Sequence, residues 1–116
     1  MAVMIKNIEH EKVLPITQLV DILPGQVVSK TLAQNKAVSV TLFAFDKGEE
    51  IGTHDSTGDA MVVVLEGVGE FTVDGQKHLV TAGETLVMPA KKPHSVYAIE
   101  AFKMLLVVVF PQNQTE

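Results

Sequence analysis

Apolar residues recur along this chain in short runs that alternate with turns, a pattern typical of a β protein. Glycine or proline interrupts the chain repeatedly from Pro24 to Pro111, and the runs between are rich in Val, Thr, Phe and Leu. Short strands separated by turn signals indicate an all-β sandwich or barrel. The best helical candidate, residues 16–23, is short and stops at Pro24 and Gly25, so helix contributes little.

The runs predict eight strands, which we place at residues 26–34, 37–45, 60–65, 70–73, 76–80, 85–88, 95–99 and 103–110. The Asp74-Gly75 pair is a strong signal for a two-residue hairpin turn. About eight antiparallel strands that close on themselves match a double-stranded jelly-roll barrel. We therefore expect a jelly-roll domain over residues 26–112. An N-terminal segment (1–25) with a short strand or helical turn precedes it, and a tail (113–116) follows.

Two of the predicted strands are apolar on both faces. Residues 61–65 and 105–109 contain no polar side chain, whereas a strand with one face in water alternates. One face can line the barrel interior, and the other needs cover from the N-terminal segment or from a partner chain. We expect a homodimer that buries one sheet, because the apolar patch would otherwise be large. A self-contained monomer is the alternative.

Composition narrows the functional classes. The 116 residues suit one domain, and 47% hydrophobic residues are enough for a core. The net charge is −5 and the nine basic residues are scattered, which does not favour a nucleic-acid binder or a basic membrane anchor. The longest apolar run, residues 104–110, is far shorter than the roughly 20 residues of a membrane-spanning helix. Cysteine is absent and no signal peptide is evident, so we expect a cytoplasmic protein.

Two stretches with histidine carry a family resemblance. They are GEEIGTHDSTGDAMVVVLEG (residues 48–67) and GETLVMPAKKPHSVYA (residues 83–98). Their glycine, proline and histidine spacings resemble the two motifs of the cupin family, and the resemblance covers residues 41–110. It implies a jelly-roll barrel. In metal-binding cupins it also implies four ligands, of which this chain keeps the first and last as His54 and His94, while Ser56 and Ala60 replace the second histidine and the glutamate.

The metal is therefore an open alternative. A catalytic zinc or a non-haem iron site needs three protein ligands, and the two histidines supply two. Asp59 is a weak candidate for the third, because a regular strand would point it away from its neighbour Ala60. One hypothesis is a weak site for Zn, Fe, Mn or Ni. The other is a metal-free pocket in which His54 and His94 bind a ligand or each other.

An interior pocket follows if the strand phase matches the family. It would be mostly apolar, with two imidazoles and a hydroxyl, and its predicted lining is His54, Ser56, Ala60, Val62, Met88, His94 and Val96. Such pockets hold small, largely apolar molecules with a few polar groups, although small barrels can also be packed solid. Acid–base chemistry by His94 with Tyr97 is disfavoured, since three residues apart on a strand they point to opposite faces.

Two functional hypotheses remain. The favoured one is a small-molecule-binding protein, non-catalytic or only weakly metal-dependent. The alternative is a metal-dependent enzyme of the oxygenase or isomerase type with His54 and His94 as ligands. The sequence assigns no catalytic residue and identifies no ligand.

Overall fold

The computed structural model describes residues 3–112, and nine strands form two facing sheets. The strands are β1 Val27–Gln34, β2 Val38–Phe45, β3 Glu50–His54, β4 Asp59–Glu66, β5 Val68–Val73, β6 Gln76–Thr81, β7 Thr85–Met88, β8 His94–Ala98 and β9 Phe102–Val109. They all lie within the predicted 26–112 domain, and the predicted tail lies outside the described residues. The only helix in the described part is a single 3-10 turn, Ile16–Gln18, so no helix there is long or apolar enough to cross a membrane.

The sheet topology confirms the predicted jelly roll. One sheet has the order β1-β2-β9-β4-β7 and the other the order β3-β8-β5-β6. Every neighbouring pair is antiparallel. The chain passes from one sheet to the other at every connection except β1–β2 and β5–β6. The two sheets therefore enclose a common interior.

Aromatic residues fill the closed end of that interior. Phe45, Phe71 and Phe102 are completely buried. Phe102 stacks on Phe45 with ring centroids 4.6 Å apart and meets Phe71 edge-on at 6.0 Å. Such pairs add about 0.5–1.5 kcal/mol beyond the burial of their area. This cluster closes the barrel at the end opposite the histidines.

The N-terminal segment covers part of the outer face of the five-stranded sheet. Val20 packs with Leu32, Leu42 and Ala44 in a second apolar cluster on that face. Lys30 Nζ donates to the carbonyl oxygen of Leu19 at 3.2 Å, which ties the segment to β1. The apolar outer faces of β1 and β2 therefore receive cover from the same chain.

The sequence-based assignment differs from the structure in two places. The eight predicted strands leave residues 46–59 without a strand, but Glu50–His54 form β3, a largely exposed strand that pairs only with β8. Their polar, glycine-containing sequence has a low propensity for strand. The strand forms because it pairs with β8. Of the helical candidate at residues 16–23, only the single turn at Ile16–Gln18 forms, because Val20 and its neighbours extend over the sheet.

Two glycines with the same backbone conformation allow a clean test of the packing. Gly67 (φ 79°) ends β4, and a Cβ there would lie 2.7 Å from Phe102 Cα and in collision with the Ala101 carbonyl oxygen. Gly75 (φ 83°) sits in the β5–β6 hairpin, where a Cβ would meet nothing within 4 Å.

We predict that Gly67→Ala lowers the free energy of unfolding by more than about 3 kcal/mol, because it adds a backbone collision to the left-handed strain. Gly75→Ala should cost only the conformational term of about 1–2 kcal/mol. Urea denaturation measures both. Equal losses in the two variants would contradict the close approach of β4 to the β8–β9 turn.

Candidate functional site

Two imidazole rings lie next to each other, edge to face, at the open end of the barrel. The β3–β8 pairing sets His54 directly opposite His94. Their ring centroids are 4.4 Å apart, with the planes inclined at 66°. His94 is buried at 4% exposure, whereas His54 is exposed. The site therefore has one fixed, inner ring and one outer ring that solvent can reach.

Hydrogen bonds to the backbone fix the tautomer of both rings. His54 Nδ1 lies 2.8 Å from the carbonyl oxygen of Gly52, and His94 Nδ1 lies 3.0 Å from that of Lys92. A carbonyl oxygen can only accept, so each Nδ1 carries the proton and donates it. In the neutral rings Nε2 is then an acceptor, and it is the nitrogen left available to the space that both rings line.

The two rings border a cavity of about 290 Å³. The inner row of side chains at the same end runs from Met88 through Ala60 and Val108 to Ser39 and Gln34, one residue from each of five adjacent strands. Alanine and serine are small, so this row leaves space that larger residues would fill. In the described part of the chain, no Asp, Glu, Lys or Arg side chain lines the cavity.

Most of the residues predicted to line the pocket do line this cavity. They are His54, Ser56, Ala60, Met88, His94 and Val96. Val62 does not. It points inward as predicted, but it is fully buried in the core, paired with Leu86 and Leu106 one row deeper than Ala60. The cavity extends towards β2 and β9 instead of along β4.

Several lining residues were not predicted. These are Gln34, Ser39, Phe43, Ile51, Met104, Leu106, Val108 and Phe110. Six of them lie on β2 or β9 or just beyond β9. The apolar run of β9 has no alternation that reveals which side faces inward. Its register with β4, which pairs Ala60 with Val108 and Val62 with Leu106, decides the side. The sequence of β2 indicates which face of the strand Phe43 lies on, but it does not predict that Phe43 lines the cavity.

The donor set does not fit the four-ligand metal site that the family resemblance implies. Ser56 and Ala60 both lie at the cavity, but alanine has no donor atom, and the Ser56 hydroxyl oxygen accepts a hydrogen bond from Gly58 N at 3.1 Å. Asp59 is not a third ligand here. It pairs with Val109 on the outer face, and its Oδ1 accepts from Ala90 N at 2.8 Å. Across residues 3–112, no group of three or more His, Asp or Glu side chains is placed to hold a metal ion.

Other candidate groups lie away from the cavity. Tyr97 is on the outer face of the four-stranded sheet, paired with Glu50 and Glu70, so it cannot act with His94 on one ligand. Lys92 forms an ion pair with Asp74 at 3.2 Å, and His10 bonds the Ile5 carbonyl oxygen. His78 is half-buried, because it pairs with the fully buried Phe71 and so lies on the inner side of β6; the sequence, with Lys77 beside it, favours a solvent-facing position instead.

Comparison with known proteins identifies the family. The profile of the cupin domain matches residues 41–110, the span over which the motifs carried the resemblance. The chain belongs to the cupin family. No curated protein matches this cupin significantly.

Solved structures of similar proteins share its fold. A conserved protein of unknown function from Streptococcus pyogenes is 52% identical, with a TM-score of 0.94, over 97% of this chain and 98% of that one. A cupin superfamily protein from Desulfitobacterium hafniense is 32% identical, with a TM-score of 0.89, over 94% and 100%. A cupin 2 conserved barrel domain protein from Leptotrichia buccalis is 41% identical, with a TM-score of 0.77, but its match covers 80% of this chain and only 45% of that one. These likenesses support the fold and leave the activity open.

Restoring the two missing ligands at positions 56 and 60 should increase metal affinity. The double variant Ser56→His/Ala60→Glu would add an imidazole and a carboxylate beside His54 and His94. Loss of one group that supports a metal site changes affinity by about 10- to 100-fold, so two added ligands should tighten Ni²⁺ or Zn²⁺ binding by at least about 100-fold.

Calorimetric titration of wild type, both single variants and the double variant measures the gain. A double variant that binds no more tightly than wild type would mean that Ser56 and Ala60 do not occupy ligand positions.

Proposed function

We propose that this cupin binds a small, largely apolar molecule inside the barrel, as a protein that is non-catalytic or only weakly metal-dependent. The observation that carries the proposal is a mostly apolar cavity, without Asp, Glu or Lys side chains in its described lining, that His54 and His94 border together. Ligand pockets commonly combine an apolar wall with a few convergent polar groups that orient the ligand.

The size of the cavity restricts the ligand. At about 290 Å³ it lies at the lower end of the range of roughly 300–1,000 Å³ for ligand pockets. Phe43, Phe110 and Ile51 provide flat and branched apolar contacts. A charged ligand that moves from water into this cavity would find no side chain of opposite charge. The free-energy cost of its lost hydration would not be offset by contacts with an apolar wall. Neutral molecules with one ring or a short branched chain fit best.

A metal-dependent enzyme of the oxygenase or isomerase type is the second candidate. The observation that favours it is the Nδ1 bond of each histidine to a backbone carbonyl, since metal-ligating histidines usually hold their other nitrogen in this way. Against it stands the missing donor at Ala60 and the outward position of Asp59. Zn, Fe, Mn or Ni would then have two protein ligands and otherwise solvent.

Measured metal content separates the two candidates. Purified without an affinity tag, the protein should contain less than stoichiometric Zn, Fe, Mn and Ni by mass spectrometry. Stoichiometric metal that disappears in both His54→Ala and His94→Ala would support the metalloenzyme and defeat the metal-free interpretation.

The proposal includes a homodimer formed by the outer face of the β7-β4-β9 part of the five-stranded sheet. Met61, Val87 and Val109 there are 41%, 52% and 59% exposed. The register sets Val87 beside Met61 and Met61 beside Val107, so these residues form one apolar patch. It continues the face that the N-terminal segment covers over β1 and β2. A second copy offers the same flat apolar patch, which suits a two-fold interface.

Filling the cavity should abolish ligand binding. Ala60→Leu adds three carbon atoms at the inner row between Met88 and Val108, and it should weaken binding of a neutral probe such as 4-propylphenol by at least about tenfold, at a stability cost of about 1–3 kcal/mol. Ala82→Leu, the same change in an exposed turn, is the control. Ligand-observed NMR titration measures both. Unchanged binding in Ala60→Leu, with a folded protein, would place the probe elsewhere.

A charge in the apolar patch should separate the dimer. Light scattering should give twice the chain mass of 12.6 kDa for wild type and a single chain mass for Val87→Lys, because a lysine would be desolvated in the interface. Leu79→Lys, at an exposed position on the other sheet, should stay dimeric. Wild type at 12.6 kDa at micromolar concentration would contradict the dimer.

A further inference from the structure

We infer that the ligand is a hydrogen-bond donor, namely a small arene with two adjacent hydroxyl groups, held by the Nε2 atoms of the neighbouring rings of His54 and His94. This inference rests on the proposed function, since it names the chemical class that the barrel cavity would bind. It follows from three features: Nδ1 of each ring already binds a backbone carbonyl, the two rings are close together, and most of the remaining cavity wall is apolar.

Both rings present acceptors to the cavity. His54 Nδ1 donates a hydrogen bond to the Gly52 carbonyl oxygen at 2.8 Å, and His94 Nδ1 donates to that of Lys92 at 3.0 Å. Each neutral ring therefore has one unprotonated nitrogen, Nε2, and no remaining N–H group. An ether or a ketone, which can only accept, has nothing to bind at these two atoms. A hydroxyl group can donate to them.

The geometry calls for two donors. The β3–β8 register holds the ring centroids 4.4 Å apart at the same depth of the barrel. One hydroxyl group has one proton and satisfies one ring. Two hydroxyl groups on neighbouring carbon atoms can satisfy both rings at once, which avoids leaving the buried His94 acceptor unpaired when the ligand displaces water.

Ser56 favours hydroxyl groups further. Its Oγ accepts from Gly58 N at 3.1 Å, so its own proton remains available to the cavity that it lines. A ligand hydroxyl can accept that proton while it donates to an imidazole. The ligand end of the site therefore matches the mixed donor and acceptor character of an alcohol or a phenol.

The apolar wall selects an arene over a sugar. Apart from the two histidines and Ser56, the polar side chains among the described lining residues are Gln34 and Ser39. A polyol has more hydroxyl groups than these few side chains can pair, and the rest would be buried against Phe43, Phe110 and Leu106 without partners, which is costly. The ring of a catechol, in contrast, has only its two hydroxyl groups to satisfy and gains from contact with the aromatic side chains.

A methylation series tests the inference. Calorimetry in the presence of EDTA would compare 4-methylcatechol, 2-methoxy-4-methylphenol and 3,4-dimethoxytoluene, which have two, one and no hydroxyl protons. Affinity should fall by roughly tenfold at each methylation, because each removes the donor to one buried acceptor. The EDTA ensures that the catechol does not bind through a metal ion.

Variants assign the effect to the two rings. In His54→Phe the advantage of the two-donor compound over the one-donor compound should disappear, while His10→Ala, in the N-terminal segment, should keep it. His94→Phe should act in the same way. His54→Phe remains decisive if the buried position does not tolerate the change, since His54 is exposed and circular dichroism checks its fold.

The outcomes distinguish this inference from the proposed function. Equal affinity for all three compounds, lost in Ala60→Leu, would overturn the donor requirement and keep the barrel as the ligand site. Failure of all three compounds to bind would overturn the inference alone if 4-propylphenol still binds, and both the inference and the proposed function if it does not. An advantage of the catechol that survives unchanged in His54→Phe and His94→Phe would also overturn the inference.

Discussion

The pairing of β3 with β8 is the constraint on which the site depends. It joins a polar, exposed strand to a buried one and sets His54 opposite His94 at the open end of the barrel. A slip of one residue in β8 would turn His94 to the outer face and bring Ser95 inward. His94 Nδ1 donates to the Lys92 carbonyl oxygen, and Lys91 N donates to the Ser56 carbonyl oxygen at 2.7 Å. These two bonds hold the β7–β8 loop to this register.

What replaces the missing metal ligands is as informative as the histidines that remain. Ala60 sits in the inner row between Met88 and Val108, where a glutamate would bring a charge into the barrel. With alanine the same place is neutral and roomy, and it forms part of the cavity wall. Alanine at this position therefore provides no metal ligand but leaves more space in the cavity. A family fold that elsewhere holds a metal can in this way become a pocket for an organic molecule, since function depends on the site and not on the fold.

The sequence predicts the inner face of β4 well and the rest of the site less completely. The strand phase that the resemblance to the cupin motif implies places Ala60 and Val62 inward, and both are buried. No such signal exists for β9, where Leu106 and Val108 are inner residues only because of their partners on β4. The strand that ends at His54 was missed for a related reason, since its pairing is non-local and its residues are polar. Depth along the barrel, which separates Val62 from the cavity, depends on three-dimensional packing that period and composition do not encode.

The central claim is that two imidazoles offer unprotonated Nε2 atoms to one uncharged cavity. Long-range proton–nitrogen NMR correlation of the four histidine side chains measures this directly, with His10 and His78 as internal references. We expect His54 and His94 both in the Nδ1-protonated form, and we expect their Nε2 resonances alone to shift when 4-methylcatechol is added. Protonation of both rings at Nε2, or Nε2 resonances that do not respond while the ligand binds, would contradict the account.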